Sequence, residues 1–244
     1  KVTFTEDLGG GDEPHARRRR SDGERSRATI LREAARLATV EGIQGLSIAR
    51  LAEAVGMSKS GLFAHFGSKE ELQLATVDTA VALFDEEVVR PALEAPTGLE
   101  RLTGLTELFL RHVESGVFPG GCFFASAAAE LDTRPGPVRD RTMDFLDTWL
   151  GHLEKAIRDA QDEGAIDGAE DPAQLTFEIE AYMALANLQY VIVGTALPLE
   201  QGRRAAAEIP DVVLRVYEGR RHLLPLEEPQ RFAEDVAATA ARGG

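Results

Sequence analysis

The segment 46–72, LSIARLAEAVGMSKSGLFAHFGSKEEL, constrains the fold of this chain more than any other part of it. It begins with Ser47 as a helix N-cap, continues with apolar residues at helical spacing, and reaches Gly56 as a stop. Ser58 then caps a second short helix, in which Leu62 and Phe66 are four residues apart and therefore share a buried face. The segment predicts two short helices joined by a tight glycine turn.

The outward face of the second short helix is small and polar, because it carries Ser60, Gly61, Ala64 and His65. A helix that reads DNA places its backbone close to base edges in a major groove only slightly wider than the helix. The pattern therefore predicts a helix-turn-helix unit. Ser60, Gly61 and Ala64 lack the forked groups that read guanine or adenine, so they predict no particular target sequence.

Residues 58–72, with the upstream pairs Ile30-Leu31 and Ala34-Ala35, closely resemble the signature of TetR-type transcriptional regulators. The resemblance covers about residues 24–75 and weakens beyond residue 75. It implies an N-terminal three-helix DNA-binding domain, a larger helical body with an effector pocket, and a homodimer formed through a four-helix bundle. Members of the family usually carry Tyr where this chain has Phe63, so here only the ring can act on DNA.

The predicted DNA contacts lie on or beside the second short helix and at two helix N-termini: Ser47, Lys59, Ser60, Gly61, Phe63, Ala64, His65 and Lys69. Free backbone N–H groups and the positive dipole end of a helix attract a phosphate oxygen, and the Ser47 hydroxyl and Lys69 ammonium would add to that contact. A simpler interpretation makes Ser47 and Ser58 plain caps and leaves the lysines solvated. The sequence leaves both interpretations open.

Charge is divided unevenly along the chain. The whole chain has 27 Lys and Arg against 41 Asp and Glu, a net charge of −14, which alone argues against nucleic acid as a partner. Residues 1–75 hold 12 basic and 11 acidic residues, so 15 basic and 30 acidic residues fall in 76–244. Within 14–69 the balance is 11 against 5, a net charge of +6. This division indicates a basic DNA-binding head on an acidic body.

The remaining sequence predicts helices separated by Gly and Pro clusters. We expect them at about 24–41, from Ser68 to a stop at Pro91, at about 99–115, 123–132, 137–163 and 172–197, and after Pro198 with an interruption near Pro210. Asp171 should cap the helix at 172, with Gln174 completing a capping box. No segment alternates with a period of two, so we predict an all-α protein without internal repeats.

Four segments follow from this pattern. They are a disordered basic arm at 1–23, a helix-turn-helix DNA-binding domain at 24–70, a helical effector-binding and dimerisation domain at 71–222, and a polar C-terminal tail at 223–244. The run Arg17 to Arg20 in the arm either enters a minor groove, follows phosphates, or is a solvated tail.

The body is rich in aromatic side chains, most of which we expect in its core. A few polar groups stand among them, and an apolar cavity with sparse polar anchors is typical of a small-molecule site, as the family resemblance also implies. The candidate ligand-binding residues are Phe84, Phe109, His112, Phe118, Cys122, Phe123, Phe145, Trp149, Glu178, Tyr182, Met183 and Asn187.

Cys122 is the single cysteine, which excludes an internal disulfide framework, and we predict no metal and no cofactor. It stands at the predicted start of a helix, where the dipole would lower its thiol pKa and make it redox-sensitive. A buried small apolar residue is the plainer interpretation. An enzyme built on Cys122, His112 and Glu178 is a further alternative, although no nucleophile motif or Gly-rich phosphate loop accompanies these residues.

The sequence therefore predicts a ligand-responsive transcriptional regulator without catalytic residues, a repressor released from its operator by a small, largely apolar effector. Its partners would be duplex operator DNA, the effector, and a second copy bound through the last two long helices, whose alanines allow close packing. The longest apolar stretch, 181–197, is interrupted by Asn187, Gln189 and Thr195, so we expect no membrane span and a cytoplasmic location. A small-molecule-binding protein without DNA function is the alternative.

Overall fold

The structure, a computed structural model, describes residues 13–212, with side chains described for 25–207. Within this range the chain forms helices and no strand, which confirms the all-α prediction. The helices are α1 Glu13–Glu41, α2 Ile48–Ala54, α3 Lys59–Phe66, α4 Lys69–Phe84, a π-helical turn Asp85–Val89, α5 Arg90–Leu93, α6 Gly98–Glu114, α7 Phe123–Leu131, α8 Pro137–Asp162, α9 Pro172–Val193 and α10 Leu197–Val212. The predicted tail at 223–244 lies outside the described residues.

Helices α2, α3 and α4 begin at the predicted serine caps. The hydroxyl oxygens of Ser47, Ser58 and Ser68 accept hydrogen bonds from the backbone N–H groups of Arg50, Gly61 and Glu71, at 3.2, 3.1 and 3.1 Å. Each cap satisfies one of the backbone donors that a helix start leaves free. At Gly56, which follows α2, φ is +66°, a left-handed conformation that glycine adopts without strain.

Three predicted helix boundaries are wrong. Helix α1 already includes Glu13, the first described residue, so it extends well before the predicted start near Glu24; the arginines after Pro14 are good helix formers. Helix α9 ends at Val193 because Gly194 forms a left-handed cap with φ +71°. Helix α10 passes Pro210 without interruption and continues to Val212, the last described residue. Residues 1–12 of the predicted arm, and the side chains of Arg17 to Arg20, lie outside the described part of the chain.

The predicted stop at Pro91 is also wrong, because helical backbone continues through it to Leu93. A proline lacks the N–H of the normal helical bond, and its ring presses on the carbonyl four residues earlier. The π-helical turn Asp85–Val89 relieves this conflict by widening the helix, and the N–H of Arg90 bonds the carbonyl of Asp85 five residues back. The turn therefore carries the chain from α4 into the body without a break.

Two hydrophobic clusters define a head and a body. The head cluster joins α1, α2, α3 and the start of α4 through Ile30, Leu31, Ala34, Leu46, Leu51, Ala52, Leu62, Phe66 and Leu72. The larger body cluster draws on all helices from α4 onward. Helices α1 and α4 belong to both, because Ala35 of α1 and Val77 of α4 pack in the body cluster. Helices α1 and α4 therefore connect the head directly to the body.

Asp171 caps α9 as predicted, and its carboxylate accepts from the N–H of Ala173 at 3.0 Å. Gln174 does not complete a capping box; its amide nitrogen donates to Glu178 Oε1 at 2.8 Å. Helices α9 and α10 pack closely on each other, and α6 lies against α8 in the centre of the body.

Candidate nucleic-acid interface and apolar cluster

Helix α3 presents the predicted outward face. Leu62 and Phe66 are fully buried in the head cluster, at 0 and 3% exposure. Ser60 and Ala64 are exposed, and Gly61 and His65 are half-buried, so none of these four lies in the head core. The Phe63 ring is 54% exposed. The burial of one face of α3 therefore leaves a small polar face, with one apolar ring beside it, open to a partner.

The end of α3 is held from the side by Arg27 of α1. Its guanidinium lies over the Phe66 ring, 4.7 Å from the ring centre, and such a cation–π contact contributes about 0.5–1 kcal/mol at a partly exposed site. This contact and the buried pair on α3 fix the helix against α1.

The predicted cationic and cap residues around α3 differ in their surroundings. Lys59 is exposed. Lys69, at the start of α4, donates from its ammonium to the carbonyl of Gln44 at 2.6 Å, so it has a partner within the head. Ser47 is half-buried and caps α2. The lysine at position 69 therefore also has a structural role that the sequence did not indicate.

In the body, most of the predicted ligand-binding residues lie together. Phe84 is central, with ring centres of Trp149, Phe145 and His112 at 5.1, 5.2 and 5.5 Å and that of Phe109 at 6.3 Å. The rings of Phe118 and Phe123 continue the set, and Cys122, Met183 and Asn187 are buried in the same part of the body. Phe124, which links Phe123 to Phe145, completes it. We call this group the aromatic cluster.

His112 is the buried polar centre of the aromatic cluster. Its Nδ1 lies 2.7 Å from Glu87 Oε2, while its Nε2 is buried and has no hydrogen-bond partner among the described residues. The rings of Phe84 and Phe118 flank it, each with its centre 5.5 Å away. Sequence reasoning missed Glu87, because it lies 25 residues from His112 in the chain and nothing local connects the two.

Cys122 does not have the lowered pKa that its helix terminus suggested. The residue is 4% exposed, and burial raises the pKa of its thiol to about 11, although N–H groups of Ala125 and Phe124 act in the opposite direction. Its own backbone N–H donates to Asn187 Oδ1 at 2.8 Å. The structure therefore favours the plainer interpretation of Cys122 as a buried small apolar residue over the redox-sensitive alternative.

Glu180 is a site residue that sequence reasoning also missed. Its carboxylate accepts from the indole N–H of Trp149 at 3.0 Å, and burial raises its pKa, partly opposed by that hydrogen bond. It stands three and seven residues before Met183 and Asn187, which places it on the same helix face. Because Met183 and Asn187 were predicted ligand-binding residues, this spacing could have identified Glu180 from the sequence.

Two predicted ligand-binding residues lie apart from the aromatic cluster. Tyr182 is 41% exposed, on the side of α9 that carries exposed Leu185 and Leu188. Glu178 is half-buried on α9 and accepts from Gln174. The helical period separates both from the buried face of Met183.

Two clefts open between α1 and α4, at the junction of head and body. One, of about 400 Å³, is lined by Arg32, Arg36, Leu83, Glu86, Glu87, Val117 and Phe118. The other, of about 460 Å³, continues along α1 past Arg27 and Leu31. Phe118 and Glu87 thus separate the first cleft from His112, which both of them contact.

Across residues with described positions, no group of three His, Cys, Asp or Glu side chains could hold a metal ion. In the same part of the chain, every helix is too short or too polar to cross a membrane.

The head, with its exposed α3 face, and the separate helical body define the class: a helix-turn-helix protein with a helical second domain. The sequence pattern of bacterial regulatory proteins of the tetR family matches residues 30–76, and that of the tetracyclin repressor-like C-terminal domain matches residues 98–206. The chain belongs to the TetR family.

Three relatives show how far the similarity extends. The HTH-type transcriptional regulator TcmR of Streptomyces glaucescens is 32% identical over 115 residues, 46% of this chain and 50% of TcmR, so the chain spans about half the length of this relative. A TetR regulator from Chloroflexus aurantiacus J-10-FL is 27% identical, with a TM-score of 0.71 over 78% of this chain and 96% of that one. AibR, whose structure contains isovaleryl coenzyme A and operator DNA, is 25% identical, with a TM-score of 0.62 over 75% and 97%.

Proposed function

We propose that this protein is a ligand-responsive transcriptional regulator that binds operator DNA as a repressor and is released by a small, largely apolar effector. The exposed α3 face, held outward by buried Leu62 and Phe66, is the observation that carries this proposal. The net charge of +6 over residues 14–69 supports it, because a basic head on an acidic body directs DNA to one end of the molecule. The operator bound by AibR, a relative of the same fold, also supports it.

In this proposal α3 enters the major groove, while Ser47 and Lys69, at the N-termini of α2 and α4, contact phosphates beside it. Ser60, Gly61 and Ala64 let the helix backbone approach the bases, and Lys59 and His65 reach phosphate or base edges. The exposed Phe63 ring has no hydroxyl, so it contacts apolar groups such as sugar carbons or a thymine methyl. Lys69 divides its ammonium donors between the Gln44 carbonyl and a phosphate.

The effector would bind in the aromatic cluster. A buried nitrogen without a partner costs about 1–3 kcal/mol, and His112 Nε2 is such an atom, so an effector oxygen or hydroxyl placed beside it would gain that hydrogen bond. The cleft bordered by Phe118 and Glu87 offers the entry path. Isovaleryl coenzyme A, which AibR binds, shows that a relative of this fold accepts a ligand with an apolar acyl group.

Effector binding would reach the head through α4. This helix carries Phe84, the centre of the aromatic cluster, at one end and Leu72 of the head cluster at the other. An effector that displaces Phe84 would tilt α4 and favour a head position that fits the operator less well. Effector and operator must then weaken each other's binding by the same factor.

The DNA claim is tested with the duplex that the wild-type protein selects from a random-sequence pool. We expect its affinity to fall steeply with salt, and Lys59→Ala to lower the slope of log K against log salt by about 0.9 for each phosphate that the variant no longer neutralises. Lys155→Ala, on the body and 72% exposed, is the matched control and should leave the slope unchanged. Failure to select any duplex, or equal slopes for both variants, would contradict the proposal.

The effector claim is tested by a thermal-shift screen of apolar acids, aromatic antibiotics and acyl thioesters, since a ligand that binds the folded state raises its melting temperature. A compound that stabilises the wild-type protein should stabilise His112→Leu much less, because the variant cannot form the hydrogen bond at Nε2. Equal stabilisation of both proteins would place the effector elsewhere.

A further inference from the structure

The turn between α1 and α2 is held by a carboxylate from the body. Glu130, on α7, accepts the backbone N–H of Ile43 through Oε2 at 2.7 Å and that of Gln44 through Oε1 at 3.0 Å. Two successive backbone N–H groups that converge on one anion form a favourable binding concavity. At Gly42, where φ is +81°, a Cβ would lie 2.8 Å from the same carboxylate, so the contact depends on glycine there.

Side chains of α4 hold the same turn from its other side. Gln73 donates from its amide to the carbonyl of Ile43 at 2.6 Å, and Lys69 donates to the carbonyl of Gln44 at 2.6 Å. The peptide unit between Ile43 and Gln44 thus bonds Gln73 through its oxygen and Glu130 through its N–H. The turn leads directly to the cap Ser47, so its position sets where α2 and then α3 lie.

Helix α7 also belongs to the aromatic cluster. Phe123 and Phe124 in its first turn are buried there. The backbone N–H of Cys122, just before the helix, donates a hydrogen bond to Asn187 Oδ1 of α9. Glu130 stands near the other end of the same helix, two turns away. A shift of α7 that follows a change in the aromatic cluster must therefore move the Glu130 carboxylate relative to the turn.

We infer that Glu130 is a positioning residue for DNA recognition: it sets the orientation of the head on the body and carries changes in the aromatic cluster to α2 and α3. The inference rests on the proposed DNA-binding function. It adds a second connection between the aromatic cluster and the head, separate from the continuous α4.

The test compares Glu130→Ala and Glu130→Gln with a matched control, Glu163→Ala. Glu163 also binds a backbone N–H through both carboxylate oxygens, that of Gly98 at 3.1 and 2.8 Å, but this contact lies entirely within the body. Each variant is measured for affinity to the duplex selected by the wild-type protein, for thermal midpoint, and for amide hydrogen exchange in residues 42–46.

We expect Glu130→Ala to weaken DNA binding on the order of tenfold and to speed exchange at residues 42–46, because two charge-assisted hydrogen bonds are removed. Glu130→Gln, which keeps one acceptor oxygen, should show a smaller loss of affinity. Glu163→Ala should lower the thermal midpoint without changing DNA affinity, and this contrast separates positioning from general stability.

Two failures can be distinguished. If the wild-type protein binds no duplex, the proposed function fails and the inference falls with it. If the wild-type protein binds but folded Glu130→Ala binds equally well, or Glu163→Ala weakens binding to the same extent, the inference alone is overturned. Should Glu130→Ala unfold at the temperature of measurement, the affinity of Glu130→Gln relative to wild type decides in the same way.

Discussion

The thiol of Cys122 lies at the start of α7, where N–H groups of the first turn lower its pKa, yet the surrounding apolar side chains have the larger effect. A thiolate buried there would lose its hydration without gaining a cation, so the neutral thiol is favoured. This argues against the redox-sensor and enzyme alternatives for this residue, because both require a thiolate.

We therefore predict that native protein near neutral pH does not react with a thiol reagent such as dithionitrobenzoate, whereas unfolded protein in guanidinium chloride releases one equivalent. Absorbance of the released thiolate measures both values. Rapid reaction of the native protein would contradict the buried, protonated state.

Glu180 makes stability depend on pH through its raised pKa. Because the folded state binds this proton more tightly than the unfolded state, the contribution is favourable at low pH and is lost as pH rises above the ordinary glutamate value of 4.5. Glu180→Gln keeps an acceptor for the Trp149 indole and removes the titration. We expect the difference in melting temperature, variant minus wild type, to increase in favour of the variant from pH 4 to pH 8. A difference in melting temperature that is the same at every pH would show that the Glu180 carboxyl is not desolvated.

Among the elements, the loop that precedes α7 connects the body to α1. Arg36 donates to the carbonyl of Val117 at 3.1 Å, and Gly120 donates from its N–H to Thr39 Oγ1 at 3.2 Å. A Cβ on Gly120 would overlap the backbone carbonyl of Thr39, which cannot rotate away as a side chain can. The close approach of this loop to α1 therefore requires glycine.

Gly120→Ala should destabilise the protein by about 3 kcal/mol through this overlap. Gly151→Ala is the matched control: Gly151 lies inside α8 with open space around its Cβ position, so alanine there should stabilise by about 0.5–1 kcal/mol. Urea unfolding followed by circular dichroism measures both changes. Equal effects of the two substitutions would show that the loop can move away from α1.

At the scale of the whole molecule, α9 exposes an apolar stripe that the described part of the chain leaves uncovered. Phe177, Leu185, Leu188 and Ile192 recur at helical spacing and are 69, 52, 55 and 72% exposed. Such a stripe normally marks an interface, and two-fold pairing through α9 and α10 would cover it. Pairing would also supply the two heads that a specific DNA site of two half-sites needs.

Leu188→Glu should therefore weaken dimerisation at least about a hundredfold, because an unpaired buried charge costs about 3–5 kcal/mol. Sedimentation velocity over a concentration series measures the change. Val40→Glu, on α1 and 65% exposed, is the control and should leave the association unchanged. A wild-type protein that sediments as a monomer, or a Leu188→Glu protein that remains a dimer, would place the stripe outside any interface.

The local features of this protein could be predicted from its sequence. The serine caps, the glycine stop at Gly56 and the buried pair Leu62 and Phe66 depend on contacts within three or four residues, which spacing alone reveals. The α3 face followed from the same periodicity, whereas the candidate residues of the aromatic cluster came from the aromatic-rich composition of the body and the family resemblance. For this reason the short helices of the head and the buried face of α3 could be predicted from spacing alone.

The tertiary structure decided what depends on residues distant in the chain. Glu87 reaches His112, Glu130 reaches the turn at Ile43, and Glu180 reaches Trp149, across 25, 87 and 31 residues. Packing also raised the pKa of the Cys122 thiol and gave Lys69 a carbonyl partner. Burial and long-range hydrogen bonds arise only when helices meet, so short-range spacing specified the helices and their faces, while their packing specified the electrostatics of the site.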